Sequence, residues 1–416
     1  MLTSLKQIFL TTVIACLTSH LCVAADVTNG AASAHGVQTM PMDELWRIGG
    51  EGDEENLLGV IDKVFADDKG QIYLLDIQLV EIQVFDDEGF YSHSIGKRGE
   101  GPGEIMRVTD ALFLPDGTVG LVQAFPGKIV QVDLEGLPAG EFKPGGDDPA
   151  AGGFFAIGSA ASVGNNIIIK GGQFSRGEKS RTATEFISGI EPSGKVGTRF
   201  TENTSVREFG NNQVVEKDRF FVQDDCWDVT PDGRVVFAPS RNDYKIEVRN
   251  PDGSLHMVIS REYESVQRTS AEVEKAEAMF MPWRRRNRNS IEFVMEKTEP
   301  DIEQVHVGDD GRIWVLPSSG IRDQAEGVHS TWDIFDQAGQ FERQIAFACD
   351  ADGQEDALFF PGGDLVVIVK EHTEAMWAFQ GRGADNPDAE SDNEIEPAPL
   401  EVICYRIAPA LEQLAE

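Results

Sequence analysis

The sequence predicts an all-β fold, a six-bladed β-propeller closed by pairing of an N-terminal strand with the C-terminal blade, and three observations predict it. A complete unit stands at residues 61–95, where apolar or alternating runs (61–66, 71–76, 81–85 and 90–95) are separated by the turns Asp67-Asp68-Lys69-Gly70 and Asp86-Asp87-Glu88-Gly89. Glycine supplies the positive φ that such tight antiparallel turns need. Both turns then recur along the chain. The first returns as Pro115-Asp116-Gly117, Val163-Gly164-Asn165, Pro231-Asp232-Gly233, Asp309-Asp310-Gly311 and Pro361-Gly362-Gly363. The second returns as Asp133-Leu134-Glu135-Gly136, Glu191-Pro192-Ser193-Gly194, Asn250-Pro251-Asp252-Gly253 and Asp336-Gln337-Ala338-Gly339. Six first turns against five second turns leave the last unit without a fourth strand, and residues 45–48 are expected to supply it. Closure of this kind leaves each sheet only short, protected edges.

Ahead of the ring, Lys6, the apolar residues 8–15 and the small residues Val23-Ala24-Ala25 read as a secretory signal peptide over residues 1–25. Val13-Ile14-Ala15-Cys16 also fits a lipoprotein cleavage box, so the alternative is a lipid anchor at Cys16. Either reading sends the protein out of the cytoplasm, to a periplasmic or extracellular location. Residues 26–42 are rich in Ala, Gly, Ser and Thr without periodicity and are expected to form a flexible leader. The propeller itself is placed at 43–408, with a tail at 409–416. The turn glycines Gly70, Gly117 and Gly164 are evenly spaced, but the gaps from Gly164 to Gly233 and on to Gly311 are longer. Those gaps hold insertions or, alternatively, a seventh blade.

No later run reaches the roughly 18–20 apolar residues of a membrane span. The net charge of −35 repels phosphate backbones, which excludes nucleic acid as a partner and leaves solubility, or attraction of cations and basic partners, as its use. Of five cysteines, Cys226, Cys349 and Cys404 lie beyond the leader. So sparse and odd a set is no disulfide framework; buried free thiols are expected, with a Cys349 to Cys404 bridge as the alternative.

The stretch Ile95-Gly96-Lys97-Arg98-Gly99-Glu100-Gly101-Pro102-Gly103-Glu104, with Ile82-Gln83-Val84-Phe85-Asp86-Asp87-Glu88-Gly89, is similar to the NHL-like and TolB-like bacterial six-bladed propellers over about residues 43–408. That resemblance implies the fold and is nearly silent about activity, because the scaffold hosts binders, lyases and lactonases alike. The glycine-rich loop joins strand to strand, so it lacks the helix N-terminus that a phosphate cradle requires.

In a four-stranded meander the first and third connections share one face and the others share the opposite one. The long segments 96–104, 143–153, 171–181, 202–224, 262–300, 317–330 and 380–399 all fall in the second group, so one face should be elaborated for binding. Within 262–300, residues 270–281 read as a short helix capped by Ser270. It is followed by the cationic Trp283-Arg284-Arg285-Arg286-Asn287-Arg288, suited to neighbouring carboxylates or to an anion. Residues 384–399 are acidic and patternless, a disordered loop or a weak Ca²⁺ attractor.

Asp110, Cys226, Gln304 and Asp356 stand at one repeat position, near the start of the innermost strand, with Asp62 and Asp225 one step away. Carboxylates from several blades would then converge on an acidic channel mouth able to hold a cation, Ca²⁺ or another divalent ion. The competing use is to tie blades together through backbone hydrogen bonds. Arg98 and Arg241 lie on the elaborated face and could clamp a carboxylate or sugar acid. Trp227, Trp283 and Trp377 could stack on a sugar, and His306, His329 and His372 could gather about the axis as in propeller lyases. No Gly-x-Ser-x-Gly elbow, triad spacing or zinc-ligand spacing is present, so no catalytic residue is assigned. The expected function is an exported binding module for a protein, carbohydrate or small molecule, using Arg98, Asp110, Asp225, Arg241, Gln304 and Asp356. The alternative is a metal-dependent hydrolase or lyase of the lactonase kind.

Overall fold

The computed structural model describes residues 25–53, 56–144, 153–191, 194–211, 213–279, 292–382 and 399–407. Five blades are continuous meanders. Blade 1 runs through Ile61–Ala66, Ile72–Asp76, Glu81–Phe85 and Tyr91–Ile95, and blade 2 through Asp110–Phe113, Val119–Gln123, Lys128–Val132 and Pro138–Phe142. Blade 3 uses Gly153–Val163, Asn166–Arg176, Ser180–Ile190 and Val196–Glu208; blade 4 uses Trp227–Val229, Val235–Phe237, Lys245–Arg249 and Leu255–Arg261. Blade 5 comprises Ile302–Val307, Ile313–Pro317, Val328–Phe335 and Phe341–Ala348, and blade 6 takes Ala357–Gly362, Leu365–Lys370 and Glu401–Ile407. From blade 1 through to blade 5 the first strands of successive blades adjoin one another, as do those of blades 6 and 1, and apolar side chains pack between neighbouring sheets, blades 5 and 6 included. Among the described residues no seventh blade appears. The long gaps go instead into the extended strands of blade 3 and into a small parallel pair, Gln213–Val215 with Glu292–Val294.

The turns form as their chemistry requires. Asp86 Oδ1 accepts from the amides of Glu88 (3.0 Å) and Phe90 (2.8 Å), and Asp133 and Asp336 repeat the arrangement in blades 2 and 5. Gly89 has a second reason to be glycine besides its φ of +84°: a Cβ there would lie 2.6 Å from the Trp46 ring.

The chain's beginning binds three blades. Strand β1 (Ala25–Asn29) lies parallel on the outer edge of blade 4, pairing with Met257 to Arg261. Strand β2 (Val37–Gly49) first runs parallel to blade 5, then turns antiparallel to Glu401–Ile407 as the fourth strand of blade 6, with Trp46 opposite Cys404 and Ile48 opposite Val402. Closure is therefore as the turn count predicts. Residues 26–42, expected to be a flexible leader, are a strap instead, because unpaired edge amides and carbonyls of blades 4 and 5 give this weakly patterned segment partners. Asn29 fastens it: its amide donates to the carbonyls of Ser260 (3.1 Å) and Gly339 (3.0 Å), and its oxygen accepts from the Phe341 amide (2.9 Å).

Helix α1 (Ser270–Met279) falls where expected, but its cap is Thr269, not Ser270. Thr269 Oγ1 accepts from the Glu272 amide at 3.3 Å while Glu272 accepts from the Thr269 amide at 2.6 Å, a reciprocal capping box. A second helix, α2 (His372–Arg382), was not foreseen; the Lys275 ammonium of α1 lies 5.8 Å over the Trp377 ring of α2. Segments 171–176 and 202–208, read as loops, are strand. Cys226, Cys349 and Cys404 are free thiols. No helix among the described residues is long and apolar enough to cross a membrane. The signal peptide with Cys16, the cluster at 283–288, nearly all of the acidic stretch 384–399 and the tail 409–416 lie outside the described residues.

Replacing Asn29 by Ala leaves a buried backbone amide without its acceptor, which costs about 1–3 kcal/mol. Asn29→Ala is expected to lower the unfolding free energy by that amount in urea titration and to open the segment before Val37 to limited proteolysis.

Candidate functional site: an acidic channel mouth

Three blades begin with a β-bulge. Pairing skips Asp62 between Ile61 and Lys63, Gly158 between Ile157 and Ser159, and Glu303 between Ile302 and Gln304. A bulge re-aims the unpaired side chain, and such devices are common beside functional sites. Asp62, Asp225 and Glu303 each stand eight residues before a turn glycine (Gly70, Gly233 and Gly311), so one repeat position delivers three carboxyls from blades 1, 4 and 5.

Asp62 feels the charges of Asp225, Asp110 and Asp224, and Asp225 feels those of Asp224 and Asp110. Burial first, and then the Asp225, Asp110 and Asp224 charges, push the Asp62 carboxyl up to about 7, against the pull of Lys63. Asp225 reaches water, yet its desolvation by neighbouring protein, followed by the Asp224 charge, pushes it up to about 6, opposed by Lys170. Neither carboxyl has a hydrogen-bond partner among the described residues. Gly158 makes room for the group: a Cβ there would approach Asp224 Oδ1 to 2.8 Å.

The surrounding charges are held by short contacts. Lys63 Nζ donates to Asp110 Oδ1 at 2.6 Å, and Lys170 Nζ to Asp224 Oδ1 at 2.8 Å. The Trp227 indole N–H donates to Ser159 Oγ (2.9 Å), which donates to Asp224 (3.1 Å), joining blades 3 and 4. Trp227 is thereby buried and engaged, not a sugar platform.

Glu303 turns away from this pair. Its Oε1 lies 2.5 Å from Ser318 Oγ, which is also hydrogen-bonded to the Pro300 carbonyl. The Ser318 hydroxyl donates to Glu303 and favours its ionised form, but burial outweighs that bond and pushes the carboxyl up to about 7.

The remaining expected site residues divide clearly. Asp110 is at the mouth, but its carboxylate also accepts from the amides of Ala111 (2.7 Å) and Ala160 (2.6 Å), tying blade 2 to blade 3. Asp228 does the same between blades 4 and 5 through the Val229 and Val307 amides. Asp356 is buried and accepts from the amides of Asp352 (2.8 Å) and Glu371 (2.9 Å), so it latches its own loop and does not join the acidic group. Cys226 is wholly buried, its thiol pushed well up by burial and directed at the Glu303 carbonyl (3.2 Å). Gln304 follows the bulge, half-buried, and is not brought into the group. Arg98 is exposed and donates to the Gln78 carbonyl at 2.9 Å. Arg241 is buried and saturated: it donates to Glu216 (2.9 Å), the Thr298 carbonyl (2.8 Å) and Asn242 (2.8 Å), while Arg268 grips the same Glu216 and Glu299. That network pins the insertion holding α1 and leaves no clamp for a ligand.

The histidines do not converge. His306 meets Asp228 at 3.2 Å and stacks on Phe360, His329 is enclosed by Ser330 and the Asp356 carbonyl, and His372 is packed against Phe359. Among the described residues no three His, Cys, Asp or Glu side chains gather so as to hold a metal ion. Reading the repeat one residue earlier would have found Glu303. Lys170, a lone charge after Ile167-Ile168-Ile169 on an inner strand, is the sequence signal for the rest of the mouth.

A carboxyl whose pKa is higher folded than unfolded binds its proton more tightly in the native state, so it costs stability as pH rises from about 3.9 to the folded value, and fully above it. Asp62→Asn removes that cost. The variant is expected to melt about 1–2 °C above the parent at pH 8, with the gain fading to nothing by pH 4 in calorimetric scans.

A protein family described as 6-bladed beta-propeller matches the chain over residues 45–143. No curated protein is similar to it in sequence. Solved structures align across most of its length at low identity. A Bacteroides fragilis protein predicted to be exported has a TM-score of 0.47 and 11% identity, over 92% of this chain and 99% of that one. A member of the DUF4221 family from Bacteroides vulgatus has a TM-score of 0.48 and 10% identity, over 88% and 97%. Virginiamycin B lyase from Staphylococcus aureus has a TM-score of 0.39 and 10% identity, over 86% and 98%. With six sheets ringed about one channel and the propeller family matched over its first blades, the chain is a six-bladed β-propeller.

Proposed function

We propose that this propeller is an exported binding module that takes a small ligand at the channel mouth, through a cationic or proton-donating group set between Asp62 and Asp225. The observation that carries the reading is that these two carboxyls, the Asp225 charge felt at Asp62, have no hydrogen-bond partners among the described residues, whereas Asp110, Asp228 and Asp356 have theirs. Two carboxyls made costly to ionise side by side gain most from a bound cation, which repays that repulsion. The unsaturated pair is therefore the place on the ring where a ligand adds what the protein lacks. Export rests on the signal-peptide pattern of residues 1–25, with lipidation at Cys16 as its variant.

A metal-dependent hydrolase or lyase is the second reading, favoured by carboxyls poised near neutral pH beside Lys63 and Lys170. It ranks behind because the described side chains form no metal-holding group.

Thermal denaturation at pH 8 with spermidine separates the two. A ligand at 100 times its Kd stabilises by about 2.7 kcal/mol. Spermidine is expected to raise the melting temperature of the parent and not that of the Asp62→Asn/Asp225→Asn double variant. An equal shift in both proteins, or none in either, removes the binding reading. A shift specific to Ca²⁺ or Zn²⁺ and reversed by chelator favours the enzyme.

A further inference from the structure

Blade 3 differs from the rest of the ring. Its strands run 11 to 13 residues, and their far halves project beyond the ring. In that projecting sheet Arg176 stands opposite Arg181, and Arg181 opposite Arg207, so three guanidiniums form one row across three adjacent strands. Like charges directly opposite one another destabilise a sheet. The next row on the same face is Phe174, Ala183 and Ser205, an apolar step behind the charges.

A second wall faces this sheet. Segment 213–219, held by the parallel pairing of Gln213–Val215 with Glu292–Val294, brings Arg219 across to the row, near enough to Arg207 for that guanidinium to disfavour the Arg219 charge. Between the walls lies a cavity of about 610 Å³, within the size range of small-molecule sites. Its lining carries four arginines against two acids, Glu185 and Asp218, in a protein whose net charge is −35. Part of this charge has local partners: Arg176 lies over the Phe209 ring at 5.0 Å, Arg207 donates to the Asn211 carbonyl at 3.2 Å, and Glu185 feels Arg219. Arg181, in the middle of the row, is exposed to the cavity.

We propose that blade 3 carries a binding site, separate from the channel mouth, for an organic anion whose carboxylate, phosphate or sulfonate head is held by Arg181, Arg207 and Arg219 and whose apolar body lies on Phe174. Planar guanidiniums suit such heads because each can give two parallel N–H bonds. The anion also relieves the repulsion within the row. Phe174 stacks on Phe154 at 5.4 Å, which keeps the apolar floor in place.

The test is fluorescence titration of the full chain with 8-anilinonaphthalene-1-sulfonate, alongside its uncharged counterpart N-phenyl-1-naphthylamine. Saturable one-to-one binding of the sulfonate is expected. Arg181→Gln and Arg219→Gln should each weaken it about tenfold, the size of a lost charge-assisted hydrogen bond. Lys69→Gln, in an exposed blade 1 turn, should leave it unchanged, and the uncharged probe should bind at least about tenfold more weakly than the sulfonate. Only variants that melt as the parent does are compared, and Arg181→Lys stands in should Arg181→Gln misfold. No saturable binding, equal affinity for the uncharged probe, or full affinity in both arginine variants would overturn the proposal.

Discussion

The pairing of Met42 to Gly49 with Glu401–Ile407 is the constraint on which the rest of the molecule depends. An open row of six sheets would expose an inner strand at one end and a bare edge at the other. Closure sets blade 6 against blade 1, where Trp46 packs on Phe85 (6.2 Å between rings) and over Gly89. It also turns six strand beginnings toward one axis, and only there can Asp62 of blade 1 meet Asp225, which precedes blade 4. The functional geometry is a consequence of ring closure, not of any local motif.

Within that ring the same residue type serves two purposes, and its partners separate them. Asp110 and Asp228 accept from backbone amides of the following blade and so stitch the sheets together. Asp76 goes further, wholly buried and accepting from the amides of Gly59, Val60, Gln78 and Leu79. Asp62 and Asp225 receive no such bonds, and only the nearby Lys63 and Lys170 charges offset their cost of ionising. Asp76, Asp110 and Asp228 are engaged by backbone amides; the two at the mouth are held by the fold in a state that a ligand could improve.

The hairpins were legible because their chemistry is local: an aspartate that caps its own turn and a glycine that completes it need nothing from afar. Closure was legible from the missing sixth turn of the second kind. The strap was not, since residues 25–41 take their order from the edges of blades 4 and 5 and carry no pattern of their own. Gly171-Gly172 suggested a loop but sits in a strand, where a Cβ on Gly171 would meet the Ala156 carbonyl oxygen at 2.6 Å and one on Gly172 the Phe174 ring at 2.9 Å. At the mouth, repeat position located the right strand ends. A one-residue bulge decides that Glu303 and not Gln304 is re-aimed, and Asp356 shares the position of Asp110 yet spends its oxygens on its own loop. Arg241 read as a free cation because Glu216, 25 residues away, is its partner only in the folded chain.

The central claim is that ring closure holds Asp62 and Asp225 as a strained carboxyl pair. Carboxyl ¹³C NMR titration of aspartate-labelled protein, with Asp62→Asn and Asp225→Asn for assignment, tests it most directly. The account predicts two aspartates titrating near 7 and 6. Both titrating near the ordinary aspartate value, about 3.9, would contradict it.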